Sequence, residues 1–213
     1  MSERPLDGGM KLSPAEIEAL DARWASCWTP GEVARRLVGV SATWCVAAGW
    51  ALDLFRGMRT REHGDVEIAV PAADFPEVRA RFPGYALDAV SSGTLWENAT
   101  ADVLAATHQT WLREPFTGDY LLDVFREPHD GNTWICRHDE TVRLPYEDII
   151  DHSPDGIPYL VPELVLLFKA KHARPKDHRD FHGTVPHMTP ARRRRLGELL
   201  AHTYPGHPWL AGL

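Results

Sequence analysis

The chain has 213 residues, of which 44% are hydrophobic and 25% are charged. These proportions are ordinary for a folded globular protein and exclude a chain that is disordered throughout. The net charge of -7 argues against a broad surface that coats nucleic acid, and it suits a cationic ligand.

The cysteines and the apolar segments indicate the compartment. The three cysteines are widely spaced and form no CxxC pair, which argues against a disulfide framework or a zinc knuckle. The N-terminal segment lacks the apolar core of a signal peptide, and no apolar run reaches the ~20 residues of a membrane span. We therefore expect a cytoplasmic protein.

The N-terminal part of the chain is predicted to be helical. Ser13 to Glu16 has the form of a capping box with proline at the first helical position, so a helix begins there. A second short helix is predicted to follow Thr29 to Glu32 and to end near Gly39. A strand from Thr43 to Ala47 is expected to follow.

The next segment places two carboxylates close together. A turn at Ala48 and Gly49 leads into an amphipathic helix, then a basic loop, then a strand from Val66 to Val70. Asp65 and Glu67 are at i and i+2, so their side chains share one face of that strand. Like charges at that distance repel, and a hard divalent cation such as Mg²⁺ relieves the repulsion.

The middle of the chain predicts a helix and several strands. These are a helix from Pro71 to Phe82, strands between Tyr85 and Asp102, and strands Tyr120 to Glu127 and Thr133 to Arg137 joined by a hairpin turn from Pro128 to Gly131. We expect the strand that carries Asp123 to lie beside the strand that follows Asp65. Three carboxylates would then meet at one end of a mixed sheet.

The C-terminal part again predicts helices. Pro162 opens one helix, and a final helix from Pro190 to His202 follows Thr189. The expected fold is therefore α/β (α+β), with a mixed β-sheet flanked by helices and a small helical C-terminal lobe. We predict a catalytic lobe with N-terminal helices over residues 1–153 and the helical lobe over residues 154–213.

The order of these motifs resembles the polymerase-β-type nucleotidyltransferase superfamily, and within it the small aminoglycoside nucleotidyltransferases. Those proteins carry a Gly-Gly or Gly-Ser turn at a helix start and an Asp-x-Asp or Asp-x-Glu pair on the next strand. Here the turn is Ala48-Gly49 and the pair is Asp65-Val66-Glu67. Asp123 matches the third carboxylate, and residues 156–181 are similar to the helical region of the same relatives.

The resemblance implies an enzyme that uses Mg²⁺ and a nucleoside triphosphate. Asp65 and Glu67 would bind both of two Mg²⁺ ions, and Asp123 would complete the site of the ion nearest the acceptor and could assist its deprotonation. The turn residues would bind the triphosphate with backbone N–H groups at the helix start. The residues expected to bind it are Ala48, Gly49, Trp50, Arg61 and Lys176, with Lys169 and Lys171 as weaker choices.

Two positions depart from the pattern of these relatives. Ala48 stands where many of them have glycine, and Gly64 stands where aminoglycoside enzymes often have aspartate. If Ala48 needs a positive φ, its Cβ costs free energy that glycine would not. Nucleotide binding would then be weakened.

Three functions follow from these observations. The first is transfer of a nucleoside monophosphate, AMP from ATP, to a hydroxyl of a small molecule such as an aminoglycoside-like antibiotic. The second is a toxin-type nucleotidyltransferase that acts on RNA or protein, which the run from Arg192 to Arg195 favours and the net acidity disfavours. The third is a non-catalytic member, for which Ala48 is the indication. The acceptor and the oligomeric state do not follow from the sequence.

Overall fold

The structure is a computed structural model that describes residues 6–213, and contacts divide the chain into two compact units. The first unit contains the chain up to Trp44 together with His63–Glu127, and the second contains Cys45–Glu62 and Pro128–Leu213. The first five residues of the predicted catalytic lobe lie outside the described residues. The predicted division into lobes 1–153 and 154–213 stays a prediction.

Strands and helices are interspersed in the first half of the chain, whereas the second half has a run of strands followed by three α-helices. The strands are β1 Met10–Lys11, β2 Cys45–Val46, β3 Glu67–Pro71, β4 Ala86–Ser91, β5 Thr94–Trp96, β6 Gln109–Arg113, β7 Tyr120–Glu127, β8 His129–Asp130, β9 Thr133–Ile135, β10 Arg143–Pro145, β11 Ile150–His152 and β12 Pro158–Leu160. The helices are α1 Pro14–Asp21, α2 Pro30–Arg36, α3 Ala48–Arg56, α4 Phe75–Arg79, α5 Ala101–Ala106, α6 Pro162–Ala170, α7 Pro175–Thr184 and α8 Pro190–Thr203.

The strands of the first unit form a mixed sheet in the order β1-β5-β4-β6-β7-β3. β3 and β7 run parallel, whereas β6 runs antiparallel to both β7 and β4. The side chains of Ile68, Leu112 and Leu122 are among the largest that are fully buried. β7 is buried along most of its length, as expected for a strand with neighbours on both sides.

The predicted capping box at Ser13 is present, and the structure has a second one at Thr29. The Ser13 hydroxyl accepts from the backbone N–H of Glu16, and the Glu16 carboxylate accepts from that of Ser13. Thr29 and Glu32 make the same reciprocal pair at the start of α2. These bonds satisfy two N–H groups at each helix start that have no partner within the helix, which fixes where α1 and α2 begin.

A buried arginine lies on β7. Arg126 is 5% exposed, and its Nε and Nη2 donate to the hydroxyls of Thr110 and Thr107 at 3.0 and 2.9 Å. Burial lowers the pKa of Arg126 to about 10. The guanidinium also lies over the ring of Phe75, 5.4 Å from its centroid. The two hydroxyls and the aromatic ring therefore take the place of the water that would hydrate the Arg126 guanidinium.

The second unit contains two small groups of strands and three helices near its end. β2 runs parallel to β12, which pairs antiparallel with β11. A separate group has the order β10-β9-β8. Almost every residue of α6 is buried, and Leu164, Leu166 and Leu167 are fully buried. None of the helices in residues 6–213 is both long and apolar enough to cross a membrane.

The structure corrects two predicted elements. The helix expected from Pro71 to Phe82 is confined to α4, because Pro71 ends β3 and a turn, in which the N–H of Asp74 donates to the carbonyl of Pro71, comes between them. The hairpin expected between β7 and β9 instead joins β8 to β9, with Asp130 opposite Thr133. Its turn is Gly131-Asn132, and Gly131 has a positive φ of 54°, a conformation that glycine adopts without strain.

Candidate functional site

The first unit brings the three predicted carboxylates onto neighbouring strands. Glu67 at the start of β3 lies directly opposite Asp123 in the parallel β3–β7 pair. The N–H of Asp123 donates to the carbonyl of Val66 at 2.9 Å, so the pairing continues one residue before β3. Asp65, half-buried, comes directly before that residue. The three acidic residues thus share one end of the β3–β7 pair.

Asp123 is the buried member of this group. Its side chain is 2% exposed, and its Oδ2 accepts hydrogen bonds from Gln109 Nε2 at 2.5 Å and Trp111 Nε1 at 3.2 Å. Its Oδ1 is buried and has no hydrogen-bond partner among the described residues. A buried oxygen without a partner is rare in folded proteins and needs an explanation.

The surroundings of Asp123 favour its neutral form. Burial, followed by the charges of Glu67 and Asp65, raises the pKa of the Asp123 carboxyl well above its ordinary value, while the hydrogen bonds from Gln109 and Trp111 act in the opposite direction. A divalent cation would reverse this balance, because it would replace repulsion among carboxylates with attraction to each of them.

The residues present fit a divalent cation in their chemistry. Carboxylate oxygens are the ligands that Mg²⁺ prefers. Oδ1 of Asp123 is a carboxylate oxygen that has no hydrogen-bond partner among the described residues. Within residues 6–213, no set of three or more acidic, histidine or cysteine side chains has the arrangement of a complete metal site. The carboxylates are therefore neighbours in the sheet rather than a finished cage, and Asp65, Glu67 and Asp123 stay predicted ligands.

The predicted phosphate-binding turn lies in the second unit, at the start of α3. Ala48 has a φ of 48°, in the left-handed region that glycine adopts more readily. The N-cap residue, Ala47, makes no side-chain hydrogen bond to the first turn. Gly49 is buried, and Trp50 is half-buried with the guanidinium of Arg59 5.2 Å from its ring centroid. The condition stated for Ala48 from the sequence, a positive φ, is therefore met.

Two of the predicted phosphate ligands belong to an ion-pair network. Arg61 pairs with Asp180, with Nε and Oδ1 3.0 Å apart. Lys169 Nζ lies 2.9 Å from both Asp177 Oδ1 and Asp180 Oδ2. Asp177 also accepts from Arg174. A phosphate that bound Arg61 or Lys169 would have to compete with these carboxylates.

The remaining basic residues differ in their surroundings. Lys176 is half-buried in the first turn of α7, and Lys171 is exposed beyond the end of α6. In the predicted RNA-binding run, Arg192 pairs with Glu163 and Asp151. The other two half-buried arginines of that run donate to backbone carbonyls, Arg193 to that of Met188 and Arg195 to that of Asp148.

Two residues at the site were not predicted from the sequence as site residues. Neither Gln109 nor Trp111 carried a local signal that marked it as a site residue. The burial of β6 alternates, with Gln109, Trp111 and Arg113 half-buried and the residues between them buried. Such alternation identifies the shared face of these three residues. It does not reveal which strand pairs with β6, and that pairing is what brings Gln109 and Trp111 to Asp123.

The comparison with protein families supports the resemblance seen in the sequence. Residues 31–100 match the profile of the family described as aminoglycoside-2''-adenylyltransferase. This segment contains the Ala48-Gly49 turn and the Asp65-Val66-Glu67 pair. No curated protein sequence matches the chain.

Solved structures with a similar fold include three nucleotidyltransferase-related proteins. The lincosamide antibiotic adenylyltransferase LnuA, with lincomycin bound, is 18% identical at a TM-score of 0.52, over 74% of this chain and 95% of that chain. ANT(2'')-Ia with adenylyl-2''-tobramycin is 14% identical at 0.45, over 81% and 85%. A nucleotidyltransferase-like antigenic protein from Paracoccidioides brasiliensis is 15% identical at 0.44, over 92% and 91%.

The LnuA comparison confirms the fold that the sequence predicted, a mixed α/β nucleotidyltransferase fold. The family profile covers the Ala48-Gly49 turn and the Asp65-Val66-Glu67 pair, whereas Asp123 and residues 156–181 lie outside the matched segment. The resemblance inferred from the sequence is thus confirmed: this chain is similar to the antibiotic adenylyltransferases and to the nucleotidyltransferase class of enzymes to which they belong.

Proposed function

We propose that this protein transfers AMP from ATP to a hydroxyl group of a small, antibiotic-like molecule in a reaction that depends on Mg²⁺. The observation that carries the proposal is the buried Oδ1 of Asp123, which has no hydrogen-bond partner in the described part of the chain and lies on the strand next to Glu67. Carboxylates so arranged are costly unless a cation joins them. The family profile supports the reaction class.

Asp65, Glu67 and Asp123 would hold the cation or cations. Two divalent ions about 4 Å apart can stabilise both the entering and the leaving oxygen of a phosphoryl transfer. The acceptor oxygen then bonds to the α-phosphorus, the bond to the bridging oxygen breaks, and pyrophosphate leaves with that bonding pair. The acceptor proton passes to solvent or to a carboxylate of the site.

The triphosphate ligands are proposed from the resemblance and from local geometry in the second unit. The backbone N–H groups of Ala48, Gly49 and Trp50 belong to the first turn of α3, where N–H groups lack partners within the helix and favour anions. Arg61 and Lys176 are proposed for the β- and γ-phosphates. For Arg61 this requires exchange of its pair with Asp180, so we rank Lys176 first.

The acceptor is proposed to be a small hydroxylated and cationic molecule. The matching profile is that of aminoglycoside enzymes, and the net charge of -7 suits a polyamine sugar more than a polyanion such as RNA. A lincosamide belongs in the same screen, because the fold is shared with an enzyme that binds lincomycin.

Nucleotide binding is the experiment that tests this function. The pure protein is titrated with ATP, GTP, CTP and UTP by calorimetry, with and without Mg²⁺, and the series is repeated on Asp65→Asn. We expect binding of ATP that requires Mg²⁺ and is lost in the variant. A panel of aminoglycosides and lincosamides, followed by pyrophosphate release, then identifies the acceptor.

Two results would contradict the proposal. Absence of binding by a folded protein would reject catalysis altogether. Equal binding of ATP by the wild type and by Asp65→Asn would reject the carboxylate site. A folded exposed-site control, Asp155→Asn, must bind as the wild type does, since Asp155 lies on the surface of the second unit.

A non-catalytic binding protein is the second candidate, and the positive φ of Ala48 is the observation that favours it. A Cβ at that position strains the turn proposed to receive the phosphates. In that case the wild type should bind no nucleotide, and Ala48→Gly should create nucleotide binding. Calorimetry on the two proteins side by side separates the two candidates.

A further inference from the structure

The immediate neighbours of Asp123 in the sheet are two different kinds of residue. On β7, Asp123 lies between Trp111 of β6 on one side and Glu67 of β3 on the other. Gln109 lies two residues from Trp111 on the same face of β6. The carboxyl thus has N–H donors on one side and a like charge on the other.

Both donors bind the same oxygen. Gln109 Nε2 and Trp111 Nε1 donate to Oδ2 at 2.5 and 3.2 Å, whereas Oδ1 has no hydrogen-bond partner in residues 6–213. A carboxylate has about two lone-pair sites on each oxygen. Two donors therefore occupy the sites of Oδ2, and the sites of Oδ1 stay available.

Both donors are neutral, which matters for a metal ligand. An arginine or lysine on Oδ2 would offset the charge that attracts a cation, as happens at Asp177, where Lys169 and Arg174 bind the carboxylate. A glutamine amide and an indole fix the carboxyl plane without adding positive charge. Groups in this position orient metal ligands in many metalloproteins.

The indole of Trp111 is itself held in place by other rings. Its ring lies 5.5 Å from that of Trp24 at an interplanar angle of 86°, and 4.9 Å from that of Tyr120. Tyr120 is fully buried, and its hydroxyl donates to the buried carboxylate of Asp88 at 3.1 Å. The donor at Oδ2 is therefore fixed by packing rather than by its hydrogen bond to Asp123 alone.

We infer that Gln109 and Trp111 are positioning residues that bind Oδ2 of Asp123 and reserve its Oδ1 for a single bond to the catalytic divalent cation. This inference rests on the proposed function, because it assumes that the carboxylates bind a cation. The arrangement also implies a preference for Mg²⁺ over Ca²⁺. A carboxylate held through one oxygen suits the strict octahedral shell of Mg²⁺, whereas Ca²⁺ readily accepts both oxygens of one carboxylate.

The test measures metal binding, without turnover. Mn²⁺, a paramagnetic substitute for Mg²⁺, is titrated into the full chain while free Mn²⁺ is followed by electron paramagnetic resonance, and Ca²⁺ is added as a competitor. The variants are Gln109→Met and Trp111→Phe. Each replaces the donor to Oδ2 with an apolar side chain of similar shape. We expect each to weaken Mn²⁺ binding about tenfold and to weaken Ca²⁺ binding less.

A matched control is Trp96→Phe in the same sheet. Trp96 is also half-buried, on β5, but its Nε1 has no hydrogen-bond partner in the part of the chain that the structure describes. Its replacement should leave Mn²⁺ affinity and the preference for Mn²⁺ over Ca²⁺ as in the wild type. Thermal unfolding of every variant identifies any that fails to fold. If one of the two donor variants does not fold, the other is enough for the test.

The outcomes separate this inference from the function on which it rests. If the wild type binds Mn²⁺, Asp123→Asn does not, and folded Gln109→Met and Trp111→Phe bind as the wild type does, the two residues do not position the ligand and the inference is wrong. If the wild type and Asp65→Asn show the same Mn²⁺ affinity, the carboxylate site itself is rejected. Weakened Mn²⁺ binding with a shift towards Ca²⁺ in the donor variants supports the inference.

Discussion

Each unit of this protein contains a buried acidic cluster, and the two clusters are stabilised in opposite ways. In the first unit, burial and the charges of Glu67 and Asp65 raise the pKa of Asp123, and the hydrogen bonds from its neutral donors only partly oppose this. In the second unit, burial also acts to raise the pKa of Asp177, but hydrogen bonds from Arg174 and Lys169 outweigh it and hold the pKa well below its ordinary value.

The comparison shows how a structural ion pair differs from a candidate cation site. Asp177 and Asp123 are 1% and 2% exposed, so burial alone does not distinguish them. What distinguishes them is the charge of the groups within reach. Asp177 has cationic partners in place, whereas the two donors to Asp123 are neutral, which is why we propose a cation from solution at Asp123 and not at Asp177.

The largest effect is expected from Asp123→Asn. Removal of this ligand should lower the rate of pyrophosphate release in the presence of ATP, Mg²⁺ and acceptor by about 10³-fold, or about 4 kcal/mol. In metal-free buffer the same variant should unfold at a higher temperature than the wild type. The new amide oxygen still accepts from Gln109 and Trp111, while the repulsion from Glu67 is lost. A variant that is both inactive and less stable would contradict this account.

The corresponding change in the second unit should act on stability. Asp177→Asn leaves Lys169 and Arg174 without one carboxylate at a position that is 1% exposed, and it should lower the free energy of unfolding by about 3 kcal/mol. Thermal and urea unfolding measure this loss. Asp155→Asn, exposed in the same unit, should change stability by less than about 0.5 kcal/mol.

The dependence of stability on pH should have opposite signs for the two clusters. Asp177 has a lowered pKa when folded, so its contribution is present above about pH 4 and is lost as the pH falls further. Asp123 has a raised pKa, so its contribution is present below about pH 4 and is lost as the pH rises through the folded pKa, with a slope of up to about 1.4 kcal/mol per pH unit.

Unfolding temperatures between pH 3 and 8, measured with a chelator present, check both signs. Asp123→Asn should abolish the loss of stability that occurs as the pH rises. It should leave unchanged the loss of stability that occurs as the pH falls below about 4. Addition of Mg²⁺ should restore stability to the wild type near neutral pH but not to Asp123→Asn. An identical pH profile for the wild type and both variants would remove the distinction between the clusters.

The smallest effect is expected at Ala48, where the strain is in the backbone rather than in charge. Ala48→Gly should raise stability by up to about 1 kcal/mol, because glycine adopts a φ of 48° without a Cβ clash. Unlike the effect at Asp123, this gain should not depend on pH or Mg²⁺. Ala51→Gly, a buried position within α3, should instead lower stability by about 1 kcal/mol, which unfolding measurements on both variants would check.

Local patterns in the sequence predicted the elements of the site well. Tyr120 to Glu127 was predicted as a strand that ends at a turn, and both ends of this strand are confirmed. The i and i+2 spacing and the resemblance led to the expectation that Asp65, Glu67 and Asp123 would come from neighbouring strands. The β3–β7 pairing bears out that neighbourhood, while the role of these residues in metal binding stays a prediction.

What the sequence could not supply were contacts that depend on the order of distant elements. Gln109 reaches Asp123 only because β6 pairs with β7, and no local pattern determines that pairing. Likewise, Lys169 and Arg61 were predicted to bind phosphate. Their pairing with Asp180 on α7 is not visible in the local sequence around either residue. Long-range pairing, rather than local propensity, decides which charges remain available for a ligand.

The arrangement of charges along β7 has a consequence for how this protein folds. Asp123 and Arg126 are an odd number of residues apart and therefore lie on opposite faces of the strand. Asp123 accepts from a hydrogen-bond donor on its face, and Arg126 donates to an acceptor on the other. A slip of one residue in the pairing of β7 would move the carboxylate among apolar side chains and the guanidinium to the acidic face. Misregistered chains are thereby disfavoured during folding, so Asp123 and Arg126 also enforce the correct register of β7.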